Sequence, residues 1–264
     1  MKILVPIKHV AALDPDFELL DERTVDPEHL DWSINEWDEY AVEAAVQLRD
    51  AAGGGEVVVV TISDEETTEG LTSSLARGAD RAIRVWDRRL EGADPIAIAH
   101  VLSGVVDREA PDLVLCGVQS SDAGHGATGV AAAALAGLPH VAVVSAVEID
   151  GAAAVRVTRE LEDGWVERLR VTVPALLTLQ TGINEPRYVT LRALNEANVR
   201  PVETLGLADL SLTAVPEAHQ VVGLTAPSGQ GRAEMLSADP DEAAARIAAI
   251  LTERIGGAAP VATP

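Results

Sequence analysis

The chain has 264 residues and a mass of 27.6 kDa, and 47% of its residues are hydrophobic, enough to fill the core of one large α/β domain with an appendage. Forty-two acidic against twenty basic residues give a formal charge of −22, which repels phosphate backbones and anionic membrane surfaces and argues against nucleic acid as a partner. A single cysteine, Cys116, rules out an intramolecular disulfide framework and a cysteine-rich metal site, as fits a reducing cytoplasm.

In chain order, Lys2 to Ile7 reads as a short apolar strand, too brief for a signal segment, and a long polar loop follows to about Ser33. No later stretch reaches the roughly eighteen uninterrupted apolar residues of a membrane span, so the expectation is a soluble cytoplasmic protein. Ser33 with Glu36 predicts a capping box. Trp37, Tyr40, Ala41, Ala44 and Leu48 then recur at helical spacing to about Asp50. Gly53 to Gly55 break that helix. Glu56 to Ile62 is apolar on both faces, the pattern of a buried parallel strand, and Glu66 to Arg77 reads as a helix stopped by Gly78.

Ala82 to Trp86 predicts a third strand, and Asp94-Pro95 caps a helix to about Val106. Asp112 to Cys116 gives another buried strand. Gly117 to Ala127 is a glycine-containing loop, and Thr128 to Ala136 is an alanine-rich helix. This β-α-β-α order predicts a doubly wound, mostly parallel, Rossmann-like sheet with ligands beyond the carboxyl ends of its strands, at Pro6 to Val10, Ile62 to Asp64 and Gly117 to Thr128. Ala154 to Leu161 and Val166 to Val173 flank the turn signal Asp163-Gly164 and predict an antiparallel hairpin extending the sheet, and Pro174 opens a strand to Leu179.

Residues 1–200 are therefore expected to form the nucleotide-binding α/β domain, with a short helix near Leu191 to Ala197. Residues 201–264 are expected to form an extended arm rich in turn formers, with no clear periodicity from about Val202 to Ala238. The arm ends in a helix capped by Asp239-Pro240, with Ala244, Ile247, Ala248 and Leu251 on one face, which can dock on a partner subunit or on its own domain.

The run Gly117, Val118, Gln119, Ser120, Ser121, Asp122, Ala123, Gly124, His125, Gly126, Ala127, Thr128 is the main candidate site. Small residues allow close backbone approach to a phosphate, the following helix offers unpaired N–H groups, and Ser120, Ser121 and Thr128 add hydroxyls. An ordinary strand-to-helix turn is the competing reading, because the run is neither a Walker loop nor a G-x-G-x-x-G fingerprint. His125 can donate to a phosphate or face solvent. Trp37 can stack on a planar ring or serve as a core aromatic of its helix. His9 and His140 stand at no metal-ligand spacing, so no metal is expected. Cys116 reads as a buried small hydrophobe, and no catalytic constellation is visible.

Several of these segments resemble the electron-transfer flavoprotein β subunit over roughly residues 1 to 200. Ile3-Leu4-Val5-Pro6-Ile7-Lys8-His9-Val10 is similar to the family's first strand, and Ile34-Asn35-Glu36-Trp37 followed by Ala41-Val42-Glu43-Ala44-Ala45 is similar to its first helix. Leu75 to Ala82 matches a family hallmark. The run from Val157 through Arg159, Glu160, Glu162, Asp163, Gly164 and Glu167 to Pro174-Ala175-Leu176-Leu177-Thr178 follows the signature hairpin, and Asn184-Glu185-Pro186-Arg187-Tyr188 stands where the family has that motif.

The resemblance implies a heterodimer with an α subunit that binds most of the FAD, while the β subunit binds a structural AMP. It places the AMP contacts on Pro6, on Asn35, Glu36, Trp37 and Asp38, on Ile62 and on Gly117 to Thr128. Trp37 would also lie near the flavin, and Leu191 would occupy the place of the hydrophobic anchor that docks partner dehydrogenases. It further implies electron carriage from acyl-CoA and similar dehydrogenases, as in fatty acid oxidation, to a membrane quinone reductase, with no catalytic residue on this chain. Ile62 stands where some members have cysteine, and Gly124-His125-Gly126-Ala127 replaces more polar residues. Bifurcating relatives with a second FAD in place of AMP carry Asp-Thr-Ala-Gln-Val in this loop, which is missing here, so AMP is expected. The alternatives are a bifurcating flavoprotein with a second FAD in place of AMP and a stand-alone adenine-nucleotide sensor.

Overall fold

The computed structural model describes residues 1–64, 68–216, 218, 220–225 and 235–255. These form two compact units, residues 1–224 and residues 225–264.

Nine strands of the first unit form one sheet. In chain order they are β1 (Lys2–Pro6), β4 (Glu56–Ile62), β5 (Arg81–Val85), β6 (Leu113–Gly117), β7 (His140–Ile149), β8 (Ala154–Glu160), β9 (Val166–Thr172), β10 (Ala175–Leu179) and β11 (Val202–Leu205). Their order across the sheet is β11-β5-β4-β1-β6-β10-β7-β8-β9. Pairing is parallel from β11 to β7 and antiparallel only where β8 and β9 extend the edge. β4 lies on one side of β1 and β6 on the other, so the winding reverses at β1, and a crevice opens there beyond the strand ends.

The interior positions of the central strands are almost all apolar because helices cover both faces. Ile3 and Val5 of β1 and Val57 and Val59 of β4 join the core under α1 (Glu36–Ala51) and α2 (Glu69–Arg77). Leu4, Val58 and Val60 point the other way, into the core under α3 (Pro95–Glu109) and α4 (Thr128–Leu135). Asp94 caps α3 as expected, its carboxylate accepting from the N–H groups of Ile96 and Ala97 at 2.8 Å each. In the β8–β9 hairpin, Asp163 (φ 57°) and Gly164 (φ 76°) both take left-handed backbone, the conformation for which an Asp-Gly pair is suited.

Three local expectations change, and one strand appears that no expectation covered. The polar loop before residue 33 contains an antiparallel hairpin, β2 (His9–Leu13) with β3 (Leu30–Ile34). The capping box at Ser33 and Glu36 does not form, because Ser33 is paired with Val10 in that hairpin and Asn35 is the residue that starts α1. Residues 140–149 form a ten-residue strand, and half-exposed positions along it dilute its apolar pattern. The second helix begins at Glu69; residues 66 and 67, expected at its start, lie outside the described residues.

The beginning of the chain from 201, where the sequence shows no clear periodicity, is ordered. Val202–Leu205 pairs in parallel with β5, and Leu205, Leu207 and Leu210 are buried in the core of the first unit. Four residues of strand and one 3₁₀ turn are too short for a period to show in the sequence. The expected helix α5 (Leu191–Ala197) is present, its N-terminus capped by the Thr190 hydroxyl, which accepts from Ala193 N–H at 3.2 Å. In the second unit, Asp239 caps α6 (Pro240–Ile255) by accepting from the N–H groups of Asp241 at 2.9 Å and Glu242 at 3.1 Å.

Candidate functional site

The candidate site is built where β1 and β6 end and where α1 and α4 begin. Its keystone is the start of α1. The Asn35 side chain is buried and, instead of capping its own helix, reaches across to the 117–128 loop. Its amide donates to the Gln119 carbonyl at 2.9 Å, and its oxygen accepts from Ser121 N–H at 3.2 Å. One side chain thus satisfies a donor and an acceptor of a loop that is otherwise largely exposed.

One turn on, Asp38 is buried and spans the two central strand ends. Its carboxylate accepts from Lys8 N–H at 2.8 Å and from Gly117 N–H at 3.1 Å. Burial pushes its carboxyl up to about 7 against the opposing pull of these hydrogen bonds and of the Lys8 charge. Gly117 is glycine for a steric reason: a β-carbon there would stand 2.4 Å from Asp38 Oδ1 and 2.6 Å from Trp37 Cβ. Trp37 is half-buried, and its indole N–H donates to Gln180 Oε1 at 2.9 Å, at the end of β10.

The loop has a second anchor. Lys8 Nζ lies 2.7 Å from the Asp122 carboxylate and 3.4 Å from the Ser120 hydroxyl, and this pair holds the Asp122 carboxyl below its ordinary range despite partial burial. Gly124 and Gly126 both have φ near 61°, left-handed backbone that glycine enters at no steric cost. The loop then enters α4 through Ala127, whose side chain offers no cap, so the first-turn N–H groups of α4 have no acceptor within the helix. Such N–H groups, the positive end of the helix dipole, nearby hydroxyls and glycine backbone can receive a phosphate. The Asp122 charge beside them is already countered by Lys8.

Of the expected site residues, the fold gathers Asn35, Trp37, Asp38 and Gly117 to Thr128 into one neighbourhood, with Pro6 at the end of β1 two residues before Lys8. Glu36 is exposed at the first position of α1. Ile62 ends the adjacent strand β4, where it is half-buried and paired with Val85. Leu191 lies elsewhere, 73% exposed at the start of α5. Cys116 is buried and burial raises its thiol, leaving it protonated and inert as expected. Lys8 was expected only as part of the Pro6 to Val10 strand end and not as an anchor of the loop, and Gln180 was not expected at all; a lysine two residues past a strand end and a glutamine directly after β10 are the signals that mark them. Among the described residues no cluster of His, Cys, Asp and Glu could hold a metal.

Fold and strand-end loop together define a doubly wound α/β protein of the Rossmann-like class. A sequence-family model described as "Electron transfer flavoprotein domain" matches residues 23–210. The chain is 40% identical to the electron transfer flavoprotein subunit beta of Methylophilus methylotrophus, covering 96% of this chain and 98% of the relative. It is 34% identical to that of Bradyrhizobium diazoefficiens (87% and 91% covered) and 33% identical to that of Homo sapiens (80% and 84% covered). The chain belongs to the electron transfer flavoprotein family, as a β subunit. Members of this family are electron carriers that work as heterodimers with an α subunit. No helix among the described residues is long and apolar enough to cross a membrane.

Proposed function

We propose that this chain binds AMP as a structural nucleotide at the β1/β6 strand ends and, paired with an α subunit, helps hold the FAD that carries electrons from acyl-CoA and similar dehydrogenases to a membrane quinone reductase. The observation that carries this reading is the 117–128 loop, fastened by Asn35 and Lys8 and leading into an uncapped helix N-terminus. In it the loop N–H groups and the Ser120, Ser121 and Thr128 hydroxyls bind phosphate. Asn35, Asp38 and Trp37 fix the loop against the first helix, and Pro6 and Ile62 border the nucleotide. The flavin supplies the redox chemistry; this chain supplies binding and orientation.

Two further surfaces belong to the proposal. Leu191, 73% exposed beside Tyr188 at 90%, is the apolar anchor for partner dehydrogenases. The α6 face of Ala244, Ile247, Ala248 and Leu251 is exposed, with Ile247 and Leu251 at 46% and 51%, which supports its docking on the α subunit. The test is to co-express the chain with its α subunit, purify the complex and quantify the nucleotides it releases. One FAD and one AMP per heterodimer is the expected result. Two FAD would move AMP's place to a second flavin, and failure to form a complex would overturn the carrier role for this chain.

A further inference from the structure

Away from the strand-end loop, α2, α5 and the 186–189 segment enclose a surface pocket of about 430 Å³, a size in the range of small-molecule sites. Arg77, in the last turn of α2, lines it and is more than nine-tenths buried. Its Nη2 donates to Glu39 Oε1 at 2.7 Å, but its Nε and Nη1 are buried with no acceptor. A buried guanidinium with one of its three nitrogens satisfied is costly, and an oxygen acceptor in the pocket would remove that cost. The second guanidinium on the wall, Arg187, is already held by Glu43, from Nε at 2.8 Å and Nη2 at 3.0 Å.

The rest of the wall narrows the chemistry. Thr72 and Ser73 contribute hydroxyl-bearing side chains, while Pro186, Val189 and Leu194 contribute apolar surface. Glu39 and Glu69 also line the pocket. Two carboxylates at the wall disfavour a dianion such as phosphate, whereas a single carboxylate satisfies the donors at lower repulsion. We infer that this pocket binds a short aliphatic carboxylate, its oxygens accepting from Arg77 and its tail lying along Pro186, Val189 and Leu194. Nothing in this assignment depends on the nucleotide or the flavin.

The test uses the full chain in complex with its α subunit, titrated with hexanoate and, separately, with hexylamine, which has the same tail and the opposite charge, and followed by ligand-observed NMR and thermal melting. Saturable binding of hexanoate, none of hexylamine, and a loss of affinity of about ten-fold or more in Arg77→Met support the site, the loss being that of a charge-assisted hydrogen bond. Ser73→Leu fills the pocket while leaving Arg77 in place, so it reports even if Arg77→Met does not fold; binding should vanish with the melting temperature near that of the parent. Equal binding of both ligands, unchanged affinity in Arg77→Met or Ser73→Leu, or no binding to the parent complex, as when water alone serves Arg77, would overturn the assignment.

Discussion

Asp38 makes the stability of the first unit fall as pH rises through the range in which it titrates. In the unfolded chain its carboxyl ionises near 3.8, whereas burial in the fold moves it up to about 7. Between those values the folded state holds a proton that the unfolded state has lost, so stability declines with rising pH. The slope approaches about 1.4 kcal/mol per pH unit from pH 5 to 7 and flattens above 7, which makes the protein about 2.5 kcal/mol less stable at pH 8 than at pH 5 through this group. His9 works in the opposite sense. Burial lowers it from 6.5, so the stability it contributes is present above that value and is lost as pH falls below it. The measurement is urea unfolding of the parent and of Asp38→Asn at pH 5 and pH 8. His9 and all other groups are common to both proteins, so the difference of differences isolates Asp38. An identical change in both proteins would refute the reasoning, since it would mean that Asp38 stays ionised in the fold.

Gly117→Ala should cost about 2–4 kcal/mol, because its β-carbon forces Asp38 and Trp37 away and strains the Gly117 hydrogen bond to Asp38; chemical unfolding reads the loss. Asn35→Ala leaves Gln119 C=O and Ser121 N–H without their partner, at about 1–3 kcal/mol, and should lower the AMP recovered per heterodimer while the circular dichroism is unchanged. Leu191→Ala should slow electron transfer from a dehydrogenase with flavin content intact; loss of flavin instead would show that the residue serves the cofactor and not docking. Leu251→Asp, a charge placed in the exposed apolar face of α6, should weaken association with the α subunit, measured by sedimentation, without changing the melting of the first unit.

What could be read from the residues followed how strongly each element repeats. The central strands were legible because β1, β4 and β6 are apolar on both faces, a pattern that only a sheet covered on two sides sustains. α3 was legible at its start because Asp94-Pro95 carries its own cap, and the β8–β9 hairpin because Asp163-Gly164 carries its own turn. The hairpin of β2 and β3 was not, since its five-residue strands lie among turn formers and β3 leaves Asp31, Trp32 and Ser33 exposed on both of its faces. Ser33 and Glu36 showed the spacing of a capping box, yet pairing across that hairpin took Ser33 first. In the candidate site, small residues made the 117–128 loop visible. The ties that fasten it did not show: Asn35 with Ser121 and Lys8 with Asp122 are 86 and 114 residues apart, and only the closed sheet brings them together.

The exposed stripe on α6 bears on how the cell handles this chain. A face carrying Ile247 and Leu251 in the open is the kind of surface that chaperones and proteases engage when a polypeptide lingers without its counterpart. Copies synthesised in excess of the α subunit would therefore be cleared more quickly than paired ones. On the proposal that α6 docks on the α subunit, the same helix would keep the two halves in equal number.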